Sequence, residues 1–107
     1  METRYIVVLI TVPSVEVGRK IADQLVEKRL AACVNILPSV QSYYKWNGET
    51  NVDEEALLMV KSKADLFEDR ILPTVQALHP YDLPEIIAFP IVLGSERYLE
   101  WIDAQTA

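Results

Sequence analysis

The chemistry open to this chain is limited at once by its having one histidine and one cysteine among 107 residues. His79 stands in Leu-His-Pro-Tyr, where a helical pattern ends. An imidazole there can cap helix carbonyls and, when charged, complement the negative end of the helix. The same group can ligate a metal or carry a proton. Cys33, in Leu-Ala-Ala-Cys-Val, is a small apolar residue in its ordinary role and a soft metal ligand in its chemical one. No Cys-x-x-Cys pair accompanies it. A metal site within one chain therefore needs Cys33 and His79 to meet in space, or a neighbouring chain to supply donors. Carboxylates gather in two places, Asp53-Glu54-Glu55 and the Tyr81-Asp82-Leu83-Pro84-Glu85 segment beside His79. The first cluster also suits an edge strand that must repel others. Glu55 and Lys61 share one face of a strand pattern, placed to pair across a subunit boundary. The second cluster falls in a loop, where sites on rigid scaffolds usually sit.

Other chemistries are missing. There is no glycine-rich phosphate loop, no nucleophile elbow and no Ser-His-Asp arrangement legible in the sequence, so no enzyme is expected. Ten Lys and Arg against sixteen Asp and Glu leave a net charge of −6. That sign argues against a nucleic-acid partner, because phosphate backbones need concentrated positive charge. Tyr43, Tyr44 and Trp46 therefore read better as an oligomer contact than as a base-stacking platform. Half of the residues are hydrophobic and 24% are charged, the composition of a folded domain. One cysteine fits a reducing compartment. The first apolar run stops at Pro13, too short to span a bilayer and without a small-residue cleavage site after it. A cytoplasmic protein with neither leader nor membrane segment is expected, and residues 1–107 read as one domain.

The elements that must position these groups follow from periodicity. Tyr5 to Thr11 is a continuous β-branched run, the mark of a strand covered on both faces. Ser14 caps a helix whose buried stripe is Val17, Ile21, Leu25 and Leu30. Ala31 to Trp46 alternates with its apolar side on even numbers, and Pro38 marks an edge or a bulge. Asn47-Gly48 signals a hairpin. Parity favours a three-residue loop, Asn47-Gly48-Glu49, with Val40 opposite Ala56 and Ile36 opposite Val60. Asp65 is expected to cap a second helix with Glu68 as its capping-box partner, Pro73 to kink it and Pro80 to end it. Pro84 to Val92 reads as an edge strand, and Gly94-Ser95 opens a last helix.

The order β-α-β-β-α-β-α predicts an α+β fold, a ferredoxin-like sandwich with a four-stranded antiparallel sheet and an extra C-terminal helix. Its hairpin arms, about twelve residues each, exceed the usual strand of about five or six and should reach past the sheet. The face bearing Leu37, Tyr43, Leu57 and Met59 among Asn35, Gln41, Glu55 and Lys61 is too apolar for solvent, which predicts a homo-oligomer.

Four segments together carry a family resemblance: Arg29 to Asn35, Ser42 to Gly48, Glu54-Glu55 through Lys61, and His79-Pro80-Tyr81-Asp82-Leu83-Pro84-Glu85. With Tyr98-Leu99-x-Trp101-Ile102, they resemble the CutA divalent-cation tolerance family over essentially the whole chain. The resemblance implies a homotrimer similar in architecture to PII signalling proteins, a response to metal ions, and copper(II) or another divalent cation as ligand, with no organic cofactor. It implies His79 and Cys33 as metal ligands and places Glu55, Lys61, Tyr81 and Glu85 at an intersubunit cleft. Ile10 and Leu78 stand where some copper-binding members carry a cysteine and a second histidine. Two other readings are a PII-like trimer binding a small anion through Lys61 and Arg29, and a scaffolding trimer without ligand.

Overall fold

Alternate residues of the first strand are buried while their neighbours are only partly covered, so one side of the sheet carries the core. The computed structural model describes residues 4–107. Met1, Glu2 and Thr3, which begin the segment read as lacking a leader, lie outside the described residues. The chain runs β1 (Tyr5–Val12), α1 (Val15–Glu27), β2 (Cys33–Trp46), β3 (Glu49–Lys63), α2 (Leu72–Leu78), β4 (Ile86–Pro90) and α3 (Glu96–Gln105). The strands form one sheet in the order β2-β3-β1-β4, every neighbouring pair antiparallel. This is the expected α+β, ferredoxin-like order, with β2 and β4 at the edges where Pro38 and Pro90 are tolerated.

Ile6, Val8, Ile10 and Val12 of β1, with Ala56, Leu58 and Val60 of β3, turn to the covered side. They pack there with Ile21 and Leu25 of α1 and Val75 of α2 in a single apolar cluster. Ser14 caps α1 as expected, accepting from the Val17 amide at 3.2 Å. Gly18 lets α1 sit close, because a Cβ there would stand 3.0 Å from the Leu58 side chain. Arg29 closes α1 in the left-handed region at φ 58°, with its amide on the Val26 carbonyl and the Leu30 amide on Leu25. That is a Schellman closure with arginine in the usual glycine position.

The second helix departs from expectation. Asp65 and Glu68 form no capping box; residues Ala64–Leu66 make a 3₁₀ turn and Phe67–Ile71 a π turn. The α-helix proper begins only at Leu72, with Pro73 in its first turn. Proline is at home there because its missing N–H is an orphan donor in any case.

The hairpin also departs. Its loop has two residues, Asn47 and Gly48, both at positive φ (53° and 79°), the geometry of a type I′ turn. From Trp46↔Glu49 to Val40↔Glu55, even residues of β2 oppose odd residues of β3. From Leu37↔Leu57 to Cys33↔Lys61, odd opposes odd, so Ile36 faces Leu58 rather than Val60. A bulge absorbs the difference: Pro38 and Ser39 together span the place opposite Ala56, with Ser39 at φ 61°. Same-parity pairing holds in the core half, shifted by two residues, and is lost toward the tip, where Val40 faces Glu55 rather than Ala56. Tyr43 and Gln41 consequently lie on the side opposite Glu55, and Ser42, Tyr44 and Trp46 take its side.

The hairpin projects past the body, giving extents of 44 × 28 × 24 Å and a radius of gyration of 14.3 Å, against roughly 13 Å for a compact chain of this length. The uncovered sheet face bears Val7, Leu9, Leu57 and Met59, with Ile87 and Phe89 opposite Leu9 and Val7 on β4. Ile87 and Phe89 are exposed. The last helix, α3, closes one end of this face, where Asp103 bonds both Arg4 (2.6 Å) and Lys63 (3.3 Å). The Arg29 guanidinium donates to the carbonyls of Ala104 and Gln105, which are orphan acceptors at a helix C-terminus.

Candidate functional site

Helix α2 stops at Leu78 because Pro80 forbids a helical conformation to the residue before it, and His79 is extended at φ −78°, ψ 133°. The His79 amide still bonds the Val75 carbonyl at 2.8 Å, so the imidazole is held rigidly at the helix end. The ring is buried. Its Nδ1 accepts the Tyr81 amide at 3.1 Å and its Nε2 lies 2.7 Å from the Thr11 carbonyl. That pattern assigns the proton to Nε2, which donates to Thr11. Thr11 lies one residue beyond Ile10↔Ile86, the last pair between β1 and β4. The imidazole thus takes up a strand carbonyl that β4 is too short to reach.

Tyr81 packs on the imidazole at 4.8 Å between ring centroids, and its hydroxyl donates to Glu55 Oε2 at 2.8 Å. Burial, then the Glu55 carboxylate, push the Tyr81 phenol far above its ordinary pKa. A parallel bond joins the Tyr44 hydroxyl to Asp53, which raises Tyr44 as well. Thr11, His79, Tyr81 and Glu55 therefore form one continuous polar chain from β1 through the α2–β4 loop to β3.

Between the hairpin and that loop opens a cleft of about 610 Å³. The charged residues lining it are Asp53 and Glu55 on β3 and Asp82 and Glu85 in the loop, all acidic. Tyr44, Trp46 and Tyr81 supply aromatic walls, and Tyr43 borders the cleft as well. Glu55 is only 8% exposed, and among the described residues only Tyr81 donates to it. Its Oε1 is left for whatever enters the cleft.

The expected site residues divide into two groups. Glu55, Tyr81 and Glu85 come together at the cleft, with His79 behind Tyr81. Cys33 and Lys61 pair with each other at the far end of the sheet. Val7, opposite Lys61, and Thr11, bonded to His79, are about 13 Å apart along β1 at the usual rise per residue. Cys33 and His79 do not meet within the chain. The Cys33 thiol neighbours the Tyr98 phenol, and Lys61 Nζ donates to the Asn35 side chain. With Arg29 committed to α3, neither cation proposed for an anionic ligand lines the cleft of its own chain. Both His79 nitrogens are engaged, and no group of three or more His, Cys, Asp or Glu able to hold a metal is found among the described residues. Asp53, Asp82, Tyr44 and Trp46 were not assigned to the cleft from sequence. Reading Pro38 as a parity-changing bulge would have placed Tyr44 and Trp46 there.

The CutA1 divalent ion tolerance protein family matches residues 6–105. The chain belongs to that family. A CutA divalent-cation tolerance protein of Thermus thermophilus is 54% identical over 100 residues, covering 94% of this chain and 96% of the relative. A chloroplastic CutA of Arabidopsis thaliana is 48% identical, and there the chain spans 55% of the relative's length. Among solved structures, the Thermus thermophilus CutA1 superposes with a TM-score of 0.93 at 52% identity, covering 96% of this chain and 99% of that one. The Oryza sativa CutA1 gives 0.93 at 43% identity, with 98% and 95% covered. A CutA of Archaeoglobus fulgidus, described as periplasmic, gives 0.91 at 39% identity, with 94% and 97% covered. The CutA membership agrees with the order of the four sequence segments and with the sheet topology. No helix among the described residues is long and apolar enough to cross a membrane.

Proposed function

We propose that this chain works as a homotrimer in the tolerance of divalent cations and holds such a cation, copper(II) among them, at the acidic cleft where subunits meet. One observation carries this reading: every charged residue lining the cleft is acidic, yet the carboxylates of a single chain do not converge into a complete metal site. A divalent ion needs several donors at once, so a second copy completes the set. The exposed Ile87 and Phe89 beside Leu9, Leu57 and Met59 support self-association, since faces of that kind on small proteins are usually covered. In this reading Asp53, Glu55, Asp82 and Glu85 are the donors. His79 positions Tyr81 and Glu55, and Cys33 takes no part. Compartment follows the sequence expectation of a cytoplasmic protein.

Native mass spectrometry before and after Cu²⁺ addition tests it. The expected result is a trimer that takes up one copper per chain, with uptake lost in Glu55→Gln and in Asp82→Asn but kept in Cys33→Ser. A monomer, or a trimer that stays metal-free, overturns it.

A further inference from the structure

We infer that the cleft also binds an aliphatic organic dication, a free diamine or polyamine, through its ammonium ends. This rests on reading the cleft as a cation site and adds a second class of cation to it. Size is the first argument. An ion with six waters fills about 180 Å³ at the liquid volume per water, against roughly 610 Å³ open beside a single chain. That volume lies within the usual range for small organic ligands.

The walls give the second argument. Tyr44, Trp46 and Tyr81 present ring surface that offers little to an aquated metal. An alkylammonium uses it twice, laying its methylene stem along the rings and its charge over their faces. The third argument is the placement of charge. Asp53 and Glu55 belong to the strand wall, two residues apart on one face, while Asp82 and Glu85 belong to the loop wall. Carboxylates on separate walls of one chain, which need a second copy to close around a metal ion, suit the two ends of a flexible dication as they stand. Glu55 supplies the anchor. Nine-tenths of it is buried, Tyr81 fixes its orientation through Oε2, and Oε1 has no donor among the described residues. An ammonium brings up to three donors to such an oxygen, and a charge-assisted bond there is stronger than a neutral one.

Spermidine is titrated calorimetrically into the metal-free, full-length assembly, and Cu²⁺ in a separate run. The expected result is saturable spermidine binding, weakened at least tenfold in Glu55→Gln and in Asp82→Asn. The second of these changes an exposed loop residue, so a folding defect in the first does not decide the matter. Trp46→Ala weakens spermidine as well, because the ring carries the stem. The inference is overturned if binding is not saturable. It is equally overturned if affinity is the same in Asp82→Asn and Trp46→Ala as in the parent, which would mean diffuse attraction to a chain of net charge −6. Binding seen only where the assembly dissociates also overturns it, since a lysine of a second copy would then be the natural occupant. Copper uptake without spermidine binding sinks this inference alone; spermidine binding without copper uptake sinks only the proposed function.

Discussion

The His79 imidazole bonds the Thr11 carbonyl at 2.7 Å just where β4 stops pairing with β1. One side chain thereby finishes a ladder that the backbone leaves short, and its other nitrogen orients the loop that carries Tyr81. Removing it exposes two kinds of unmet need, the part-buried Thr11 carbonyl and the Tyr81 amide.

His79→Ala is expected to destabilise the fold by about 1–3 kcal/mol, the usual range for leaving buried polar groups unpaired. His79→Asn should recover part of that loss through its amide. Urea unfolding at one fixed chain concentration measures both, since assembly links stability to concentration. An alanine variant within a few tenths of a kcal/mol of the parent would show that Thr11 does not depend on the ring.

Tyr81 keeps its proton well past the ordinary phenol value of 10.0 because burial and Glu55 both disfavour the phenolate. In the unfolded chain the same group ionises near its ordinary value. Its contribution to stability is therefore complete below about pH 10 and is lost as the pH rises beyond it. Thermal unfolding from pH 8 to 11.5 should fall more steeply for the parent than for Tyr81→Phe. Parallel slopes would contradict the Tyr81–Glu55 bond.

Asp103 has the opposite sign. Hydrogen bonds from Arg4 and then Lys63 hold its carboxyl below the ordinary 3.8. What it contributes is present above that value and disappears as the pH falls through the lowered one. The group is exposed, so the effect is small and weakened by salt. Asp103→Asn should flatten the acid limb of melting temperature against pH at low ionic strength, and the difference should vanish at about 1 M salt, where the screening length is roughly 3 Å. A difference that survives high salt would argue for a packing role instead.

Arg29 does two things that glycine and alanine separate. Its backbone occupies the left-handed region at the end of α1, and its guanidinium ties down α3. Arg29→Ala loses the tie and keeps the strain, whereas Arg29→Gly loses the tie and relieves about 1 kcal/mol of it. The glycine variant should be the more stable of the two by roughly that amount, measured by chemical denaturation. Equal stabilities would mean that the αL position is not strained.

Much of this arrangement is legible in the residues. The unbroken apolar run of β1 could only be a central strand, and Ser14 could hardly be anything but a cap. Prolines at 38 and 90 marked the edges correctly. The His-Pro-Tyr segment was readable as a loop at a helix end because proline dictates the conformation before it. Two things were not readable. Asp65 looked like a cap in sequence, but Pro73 starts the α-helix later and leaves a tighter and a wider turn before it. The spacing of the site residues within one chain was the other: Lys61 and Glu55 are six residues apart on one extended strand. Extended backbone separates such positions by about 20 Å. Distances of that kind depend on register, which a pattern of residue types leaves open.

Ser39 has a reach that its position on an edge strand conceals. Had Pro38 and Ser39 continued a regular ladder, strict alternation would have turned Gln41, Tyr43 and Lys45 toward Glu55, and a lysine would stand among the carboxylates. One left-handed torsion at φ 61° chooses between an anionic, aromatic lining and one that neutralises itself. The character of this lining is thus written in a backbone angle as much as in its side chains. A change of residue there, such as Ser39→Val, would alter it without replacing any residue that lines the cleft.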